Sequence, residues 1–95
     1  MKKNIKKMFY KKKAEIIISE INQESIILEI SSGIYFKTNY VGTFILDFIN
    51  EKKSFYEILD NTSQNFNITK EHCINDVQDF LNILIKKNLV EISDK

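Results

Sequence analysis

The residues best suited to chemistry lie close together, between His72 and Asp79. His72 and Cys73 are adjacent, and neighbouring residues on a helix point about 100° apart, so this pair is poorly placed for a shared metal or for nucleophile and base. Asp76 and Asp79 are three residues apart, but no apolar pattern buries their carboxylates together. The chain has no CxxC or HExxH motif and no glycine-rich phosphate loop. We expect no metal, no cofactor and no catalytic residue.

Length and composition favour a small binding domain over an enzyme. A chain of 95 residues forms one domain and buries roughly 60–65% of its unfolded surface, which leaves little room for an enclosed active-site cavity. The one cysteine cannot form an internal disulfide, and the start MKKNIKKMFYKKK lacks the apolar segment of a secretory signal, so we expect a cytoplasmic protein. No apolar run is long enough to span a membrane.

The net charge of +1 conceals two oppositely charged regions. Residues 1–13 contain seven lysines and no acidic residue, whereas residues 14–95 contain seven lysines against 13 acidic residues, a net charge of −6. None of the 14 basic residues is arginine, the side chain that most often clamps phosphate and recognises guanine. Residues 1–13 form a basic arm that could be a short amphipathic helix, a docking segment or a disordered tail; we expect it to be solvated and partly frayed, and residues 14–92 to be the folded domain.

The first part of the predicted domain has the pattern of strands. The runs AEIIISEI, SIILEI and IYFKT are short and rich in β-branched or aromatic residues, which predicts three strands. Polar breaks at 22–24 and 31–33 predict the turns, with Gly33 free to take a positive φ. Sequential antiparallel pairing places the third strand, residues 34–38, at an edge of the sheet.

The second part has helical spacing. Five apolar residues from Val41 to Ile49 predict a first helix, with Thr38 or Asn39 as its N-cap. A capping box from Ser54 to Glu57 predicts a short second helix, and the segment 61–67 is polar and rich in turn residues. The predicted fold class is α+β, a three-stranded antiparallel sheet followed by three helices, which is the outline of a winged helix-turn-helix.

The third helix is predicted from about Lys70 to Lys87, with Thr69 as N-cap and Asn88 in the left-handed position that ends it. Its core face consists of Ile74, Val77, Leu81, Leu84, Ile85 and Asn88. One flank is partly apolar and consists of Cys73, Asp76, Phe80, Ile83 and Lys87. The other flank is polar and consists of Asn75, Gln78, Asp79, Asn82 and Lys86. Phe80 either widens the core or, with its flank, lines a groove.

Two functions fit this outline. A winged-helix DNA-binding regulator is one, but the third helix is acidic in its middle and a body of charge −6 opposes approach to phosphates. A structural or oligomerising subunit is the other, because an exposed edge strand invites self-pairing into a homodimer.

The helical half resembles a known family, proteins similar to pyrroloquinoline quinone biosynthesis protein D, which are peptide chaperones called RiPP recognition elements. Residues 39–49 resemble its LN-x-x-G-x-x-I-L-x-L-L stretch and residues 53–59 its r-T-v-x-E-I segment. Residues 75–84 resemble x-D-V-x-x-F-L-x-x-L, and residues 88–90 stand where G-L-I ends the pattern. The resemblance covers residues 14–92. The sequence departs from the family pattern at Thr38, at residues 50–51 and at Asn88. These positions are caps and turns, where asparagine replaces glycine readily.

The resemblance implies a bacterial, non-catalytic adaptor that binds the leader of a ribosomally made precursor peptide and presents it to a modifying enzyme: a radical SAM enzyme, a leader peptidase or a cyclase. In that family the leader adds as a strand to the third strand and lies against the third helix. The residues that this implies here are Ile34, Tyr35, Phe36, Lys37 and Thr38 on the strand, and Cys73, Asp76, Phe80, Ile83 and Lys87 on the helix.

The residues support this mechanism, because an edge strand is a template for strand addition. Strand alternation leaves two possibilities: either Ile34 and Phe36, or Tyr35 and Lys37, face the groove. We expect the first pair to belong to the core. Lys37 and Lys87 are expected to contact carboxylates of an acidic leader as rim charges.

Overall fold

Two three-stranded antiparallel sheets and three α-helices form the described part of the chain, residues 4–22 and 24–95 of a computed structural model. A 3-10 turn at Ile5–Lys7 precedes them. The strands are Phe9–Lys12 (β1), Ile16–Ile21 (β2), Glu24–Glu29 (β3), Ile34–Thr38 (β4), Lys53–Ser54 (β5) and Val90–Ser93 (β6). The helices are Tyr40–Phe48 (α1), Phe55–Phe66 (α2) and Lys70–Lys86 (α3).

The predicted three-stranded meander is confirmed by strands β2, β3 and β4, which lie in that order and pair antiparallel. Ile27, in the middle strand, pairs with Ile18 on one side and Phe36 on the other, and it is fully buried. Gly33 has a φ of +72°, as its turn requires, and Asn22 a φ of +52°. Gln23, in the first predicted turn, lies outside the described residues.

The second sheet, with β1 between β5 and β6, was not predicted, and it corrects the interpretation of the N-terminal arm. Phe9–Lys12 is an ordered strand rather than a frayed segment, and Tyr10 is fully buried. The Tyr10 hydroxyl donates to the carbonyl of Ile5 (2.6 Å), and burial raises the pKa of Tyr10 to about 12. Residues 1–3 lie outside the described residues.

The predicted helix caps are confirmed. The Asn39 side chain accepts a hydrogen bond from the backbone N–H of Gly42 (3.0 Å), which starts α1. Ser54 and Glu57 form the reciprocal capping box of α2, and Thr69 accepts from the backbone of α3. Asn88, with a φ of +60°, follows the end of α3.

Helix α2 is longer than the sequence predicts. The segment 61–67 was expected to be a turn-rich loop, but the helix continues to Phe66 and ends at Asn67, which has a φ of +54°. Buried Thr62 and the ring of Phe66, whose centroid lies 5.6 Å from that of Phe44, tie this polar segment to its neighbours. Such tertiary packing overrides the weak helix propensity of asparagine and serine.

The core lies where α3 packs against α2 and where the helices meet the inner faces of the two sheets. Its fully buried members include residues from each layer, namely Tyr10, Ile27, Ile45, Leu46, Ile49, Phe55, Ile58, Leu81 and Leu84. In the described part of the chain, no helix has both the length and the apolar character that a membrane crossing requires.

Candidate functional site

A groove runs between the open edge of β4 and the exposed side of α3. Strand β4 pairs only with β3, so its other edge has no strand partner among the described residues. The groove encloses a cavity of about 510 Å³. Its walls are formed by strand β4, the start of α1 and one side of α3, through Lys37, Thr38, Asn39, Val41, Gly42, Asp76, Asp79, Phe80 and Ile83.

The floor of the groove depends on Gly42 having no side chain. A Cβ atom at Gly42 would overlap the Thr38 hydroxyl and would lie 2.9 Å from two ring carbons of Phe80. Since real Cβ atoms do not approach other atoms so closely, this position requires glycine for close packing. The Phe80 ring can therefore lie against the first turn of α1, half-buried on the core with its outer side lining the cavity.

A chain of hydroxyl hydrogen bonds joins the sheet to α1 beneath the groove. The Thr43 hydroxyl donates to the carbonyl of Asn39 (3.0 Å). Its oxygen also lies 2.5 Å from the hydroxyl oxygen of Ser25, and both side chains are buried. Because the only hydroxyl hydrogen of Thr43 goes to Asn39, Ser25 is the donor in the second bond. These bonds fix where the end of β4 turns into α1.

The register of β4 shows which side chains point toward the core. Phe36 and Thr38 pair with buried Ile27 and Ser25, lie on the inner face and are half-buried. Ile34 is on the same face but is 58% exposed, so the expectation that it belongs to the core is wrong; the strand extends past the core at this end. Tyr35 and Lys37 are exposed on the outer face, although Lys37 also borders the cavity.

Helix α3 presents three of its five predicted site residues to the cavity, Asp76, Phe80 and Ile83. Ile83 is 45% exposed and borders the cavity. Its position resolves the alternative for this flank in favour of a groove, and Phe80 serves both the core and the groove.

The prediction that Cys73 lines the groove is wrong. Cys73 is 4% exposed and belongs to the core cluster. Burial, together with the charge of Asp76, raises the pKa of the Cys73 thiol, so it stays protonated and unreactive near neutral pH. The core face of α3 is shifted toward Cys73 relative to the predicted arc, since Ile74 and Ile85 are only half-buried and Asn88 is exposed.

Lys87, also predicted in the groove, does not border the cavity, but its ammonium nitrogen lies 5.2 Å from the centre of the Phe36 ring. This distance permits a cation–π interaction at the far end of β4. Of the ten predicted site residues, five border the cavity, namely Lys37, Thr38, Asp76, Phe80 and Ile83.

The sequence interpretation missed Asn39, Val41, Gly42 and Asp79 as groove residues. Asp79 was assigned to the polar flank, but it lies at the border of that flank, next to Ile83 on the helix surface. The sequence predicts Asn39 only as a helix cap and Gly42 only as part of the family motif. A helix N-cap, Asn39, is followed three residues later by Gly42. This glycine in the first turn of α1 is the sequence signal that another element packs closely against that turn.

Among residues 4–22 and 24–95, no group of three or more histidine, cysteine, aspartate or glutamate side chains is arranged to hold a metal ion. The groove instead combines an open strand edge, an apolar wall and charged rims. Such an arrangement can accept an extended peptide, because a strand edge supplies backbone donors and acceptors while an adjacent apolar wall accommodates alternate side chains.

The small open sheet packed beside a three-helix unit defines a winged-helix-like domain. The family model for coenzyme PQQ synthesis protein D (PqqD) matches residues 24–90. The match spans well over half of the chain, and the protein belongs to this family. It includes β3, β4 and all three helices, and therefore both walls of the groove, which confirms the resemblance drawn from the motifs.

A solved structure described as TbiB1 in complex with the TbiA(beta) leader peptide is also similar. The two chains are 28% identical and superpose with a TM-score of 0.72, over 85% of this chain and 94% of the other. No curated protein sequence matches this chain.

Proposed function

We propose that this protein is a non-catalytic adaptor that binds the leader region of a ribosomally made precursor peptide. The observation that carries the proposal is the unpaired edge of β4 beside the apolar wall formed by Phe80 and Ile83. Membership in the PqqD family and similarity to a structure that contains a leader peptide support it.

The leader binds by strand addition. It lies along β4 as a fourth strand of the sheet, and hydrogen bonds between main chains provide affinity that depends little on sequence. Alternate leader side chains point into the groove, where Phe80 and Ile83 contact them, while the intervening side chains continue the outer face beside Tyr35. Specificity comes from the leader side chains that point into the groove, because Gly42 and Phe80 set the shape of the space that receives them.

The adaptor acts on behalf of an enzyme. Once the leader is held in the groove, the core segment of the precursor extends away from it and is delivered to a modifying enzyme, a radical SAM enzyme, a leader peptidase or a cyclase. We place this step in the cytoplasm, where ribosomal peptides are made. The chemistry belongs to the partner enzyme, and the adaptor raises the local concentration of its substrate.

Ile83→Glu tests the groove directly. Ile83 is 45% exposed, so the glutamate is tolerated by the fold but places a charge on the apolar wall. The matched control is Ile21→Glu, the same change at a 59% exposed position on β2, the opposite edge of the sheet. The affinity for the leader of a precursor encoded beside this gene is measured by calorimetry, and both variants are checked for folding by circular dichroism.

We expect Ile83→Glu to weaken leader binding by about tenfold or more, and Ile21→Glu to leave it unchanged. The proposal fails if the wild type shows no saturable binding, or if the two variants bind the leader equally. A gel shift with duplex DNA at low and moderate salt checks the regulator alternative, which requires binding that falls steeply with salt.

Self-pairing through β4 is tested in the same samples. A homodimer formed by this edge would compete with the leader for the same backbone groups. Its size in solution, measured against concentration, would then shift toward the monomer when leader is added.

A further inference from the structure

The groove beside β4 has opposite charges at its two ends. At the end near Thr38, Asp76 and Asp79 border the cavity, and both carboxylates are exposed. At the end near Phe36, the ammonium group of Lys87 lies over the aromatic ring. Phe80 lies near Thr38 at Gly42, and Lys87 lies near Phe36, so β4 and α3 run in opposite directions along the groove. The charge along the groove changes from negative near Thr38 to positive near Phe36.

The two carboxylates are available to a ligand. Among the described residues, one salt bridge is formed, between Lys70 and Asp60. Asp76 and Asp79 form no salt bridge there. Lys37 also borders the cavity, but it lies on the outer face of β4 and forms no salt bridge with either aspartate. At the other end, Lys87 also takes part in no salt bridge in the described part of the chain.

The distance between the charged ends fits a strand. Asp79 and Lys87 are eight residues apart, which corresponds to about 12 Å along a helix axis. A β-strand rises by about 3.4 Å per residue, so this distance spans three to four residues, and of these two spacings only four puts both end side chains on one face. Residues four apart on a strand point to the same face, and the residue midway between them points there too. That middle position faces Phe80 and Ile83, which lie between the charged ends on the helix.

We propose that the groove selects a leader segment with a basic residue, an apolar residue two positions after it, and an acidic residue about four positions after the basic one. The basic side chain binds Asp76 and Asp79, the apolar one contacts Phe80 and Ile83, and the acidic one binds Lys87. The order follows from antiparallel addition to β4, the pairing mode that β4 already uses with β3. This inference rests on the proposed function and adds the sequence and direction of the bound strand.

The test uses two synthetic peptides of identical composition, with isoleucine and threonine between the charges. In one, lysine precedes glutamate by four residues; in the other, the two are exchanged. We expect the first to bind about tenfold more tightly at low salt, since each exposed charge pair contributes about twofold to fivefold. The preference should shrink as salt is added, because rim charges are screened.

Variants of the protein identify the groups responsible. Asp76→Asn with Asp79→Asn, and separately Lys87→Gln, should each reduce the preference by about threefold. The matched controls are Asp47→Asn, an exposed aspartate on α1 outside the groove, and Lys86→Gln, on the same turn as Lys87 but the opposite flank. Both controls should keep the full preference. Exchanging the charges of both ends, by Asp76→Lys and Asp79→Lys together with Lys87→Glu, should reverse it.

Equal affinity for the two peptides, or a preference that Asp76→Asn with Asp79→Asn leaves undiminished, overturns this inference. If the leader still binds and Ile83→Glu still weakens it, the proposed function stands and only the charge order is wrong. If neither peptide nor leader binds, both proposals fail.

Discussion

The two sheets of this protein have the same number of strands but join different parts of the chain. The sheet formed by β1, β5 and β6 buries Tyr10 completely and Met8 almost completely. The sheet formed by β2, β3 and β4 buries one face and leaves the other exposed: Ile17, Leu28 and Tyr35 pair across its outer face, where Ile17 is 48% and Tyr35 70% exposed. The first sheet holds the termini of the domain together, and the second offers an edge.

This difference separates stability from binding. The first sheet joins residues distant in sequence, since Phe9 pairs with Ser93 and with Ser54, so its loss opens the domain. The second is a local meander that keeps one side of β4 free. Changes in the first sheet should therefore alter the free energy of unfolding, and changes along β4 should alter binding more than stability.

The largest effect is expected from Tyr10→Ala. Removing a fully buried aromatic ring should lower the free energy of unfolding by about 3–5 kcal/mol, because it leaves a cavity between the sheet and the helices. Tyr35→Ala, the same change in the other sheet, should alter stability by about 0.5 kcal/mol or less. Urea denaturation followed by circular dichroism measures both. Equal losses would show that the two sheets do not differ in this way.

A smaller effect is expected from Gly42→Ala. The added methyl group meets the Thr38 hydroxyl and the Phe80 ring, so we expect a loss of about 1–3 kcal/mol from overpacking. Gly33→Ala is the control: it has open space around it but a φ of +72°, so it should cost only about 1 kcal/mol through backbone strain.

Combining Gly42→Ala with Phe80→Leu isolates the contact with the ring. If the contact causes the loss, the smaller side chain should recover part of the stability, and the double-mutant cycle should show coupling. Strict additivity of the two changes would contradict the contact.

The smallest effect concerns alkaline pH. The pKa of Tyr10 is raised to about 12 in the folded protein, above the value near 10 of an unfolded tyrosine. The unfolded state therefore loses this proton first, so the contribution of Tyr10 is complete below pH 10 and is lost as pH rises from about 10 to 12. Tyr10→Phe removes this titration. The unfolding free energy of the wild type should fall more steeply than that of Tyr10→Phe over this range; parallel curves would refute the assignment.

The sequence predicted the elements that carry local signals. The caps at Asn39, Ser54 and Thr69 each specify a helix start by a hydrogen bond to a backbone group nearby. The strands β2, β3 and β4 are consecutive and joined by short turns, so their pairing depends on neighbouring residues and little on the rest of the chain. The open edge at β4, and hence most of the groove, followed from that topology.

The rest depended on contacts between distant residues. β1 pairs with β5 and β6, and the lysine-rich sequence around Phe9 and Tyr10 gave no sign of a partner. The end of α2 was missed because Phe66 is held by the ring of Phe44 rather than by a local signal. The burial of Cys73 and the approach of Asp79 to the groove depend on how α3 is rotated against its neighbours, which a helical wheel does not specify.

The hydroxyl bonds of Ser25 and Thr43, together with the close contact of Gly42 and Phe80, have one further consequence. They tie α1 both to the sheet, through β3, and to α3 without any ligand, so we expect the protein to lose little conformational entropy when a peptide enters the groove. The entropic penalty of association then falls mainly on the peptide, and stiffening the peptide into an extended strand should increase affinity more than any added contact on the protein side.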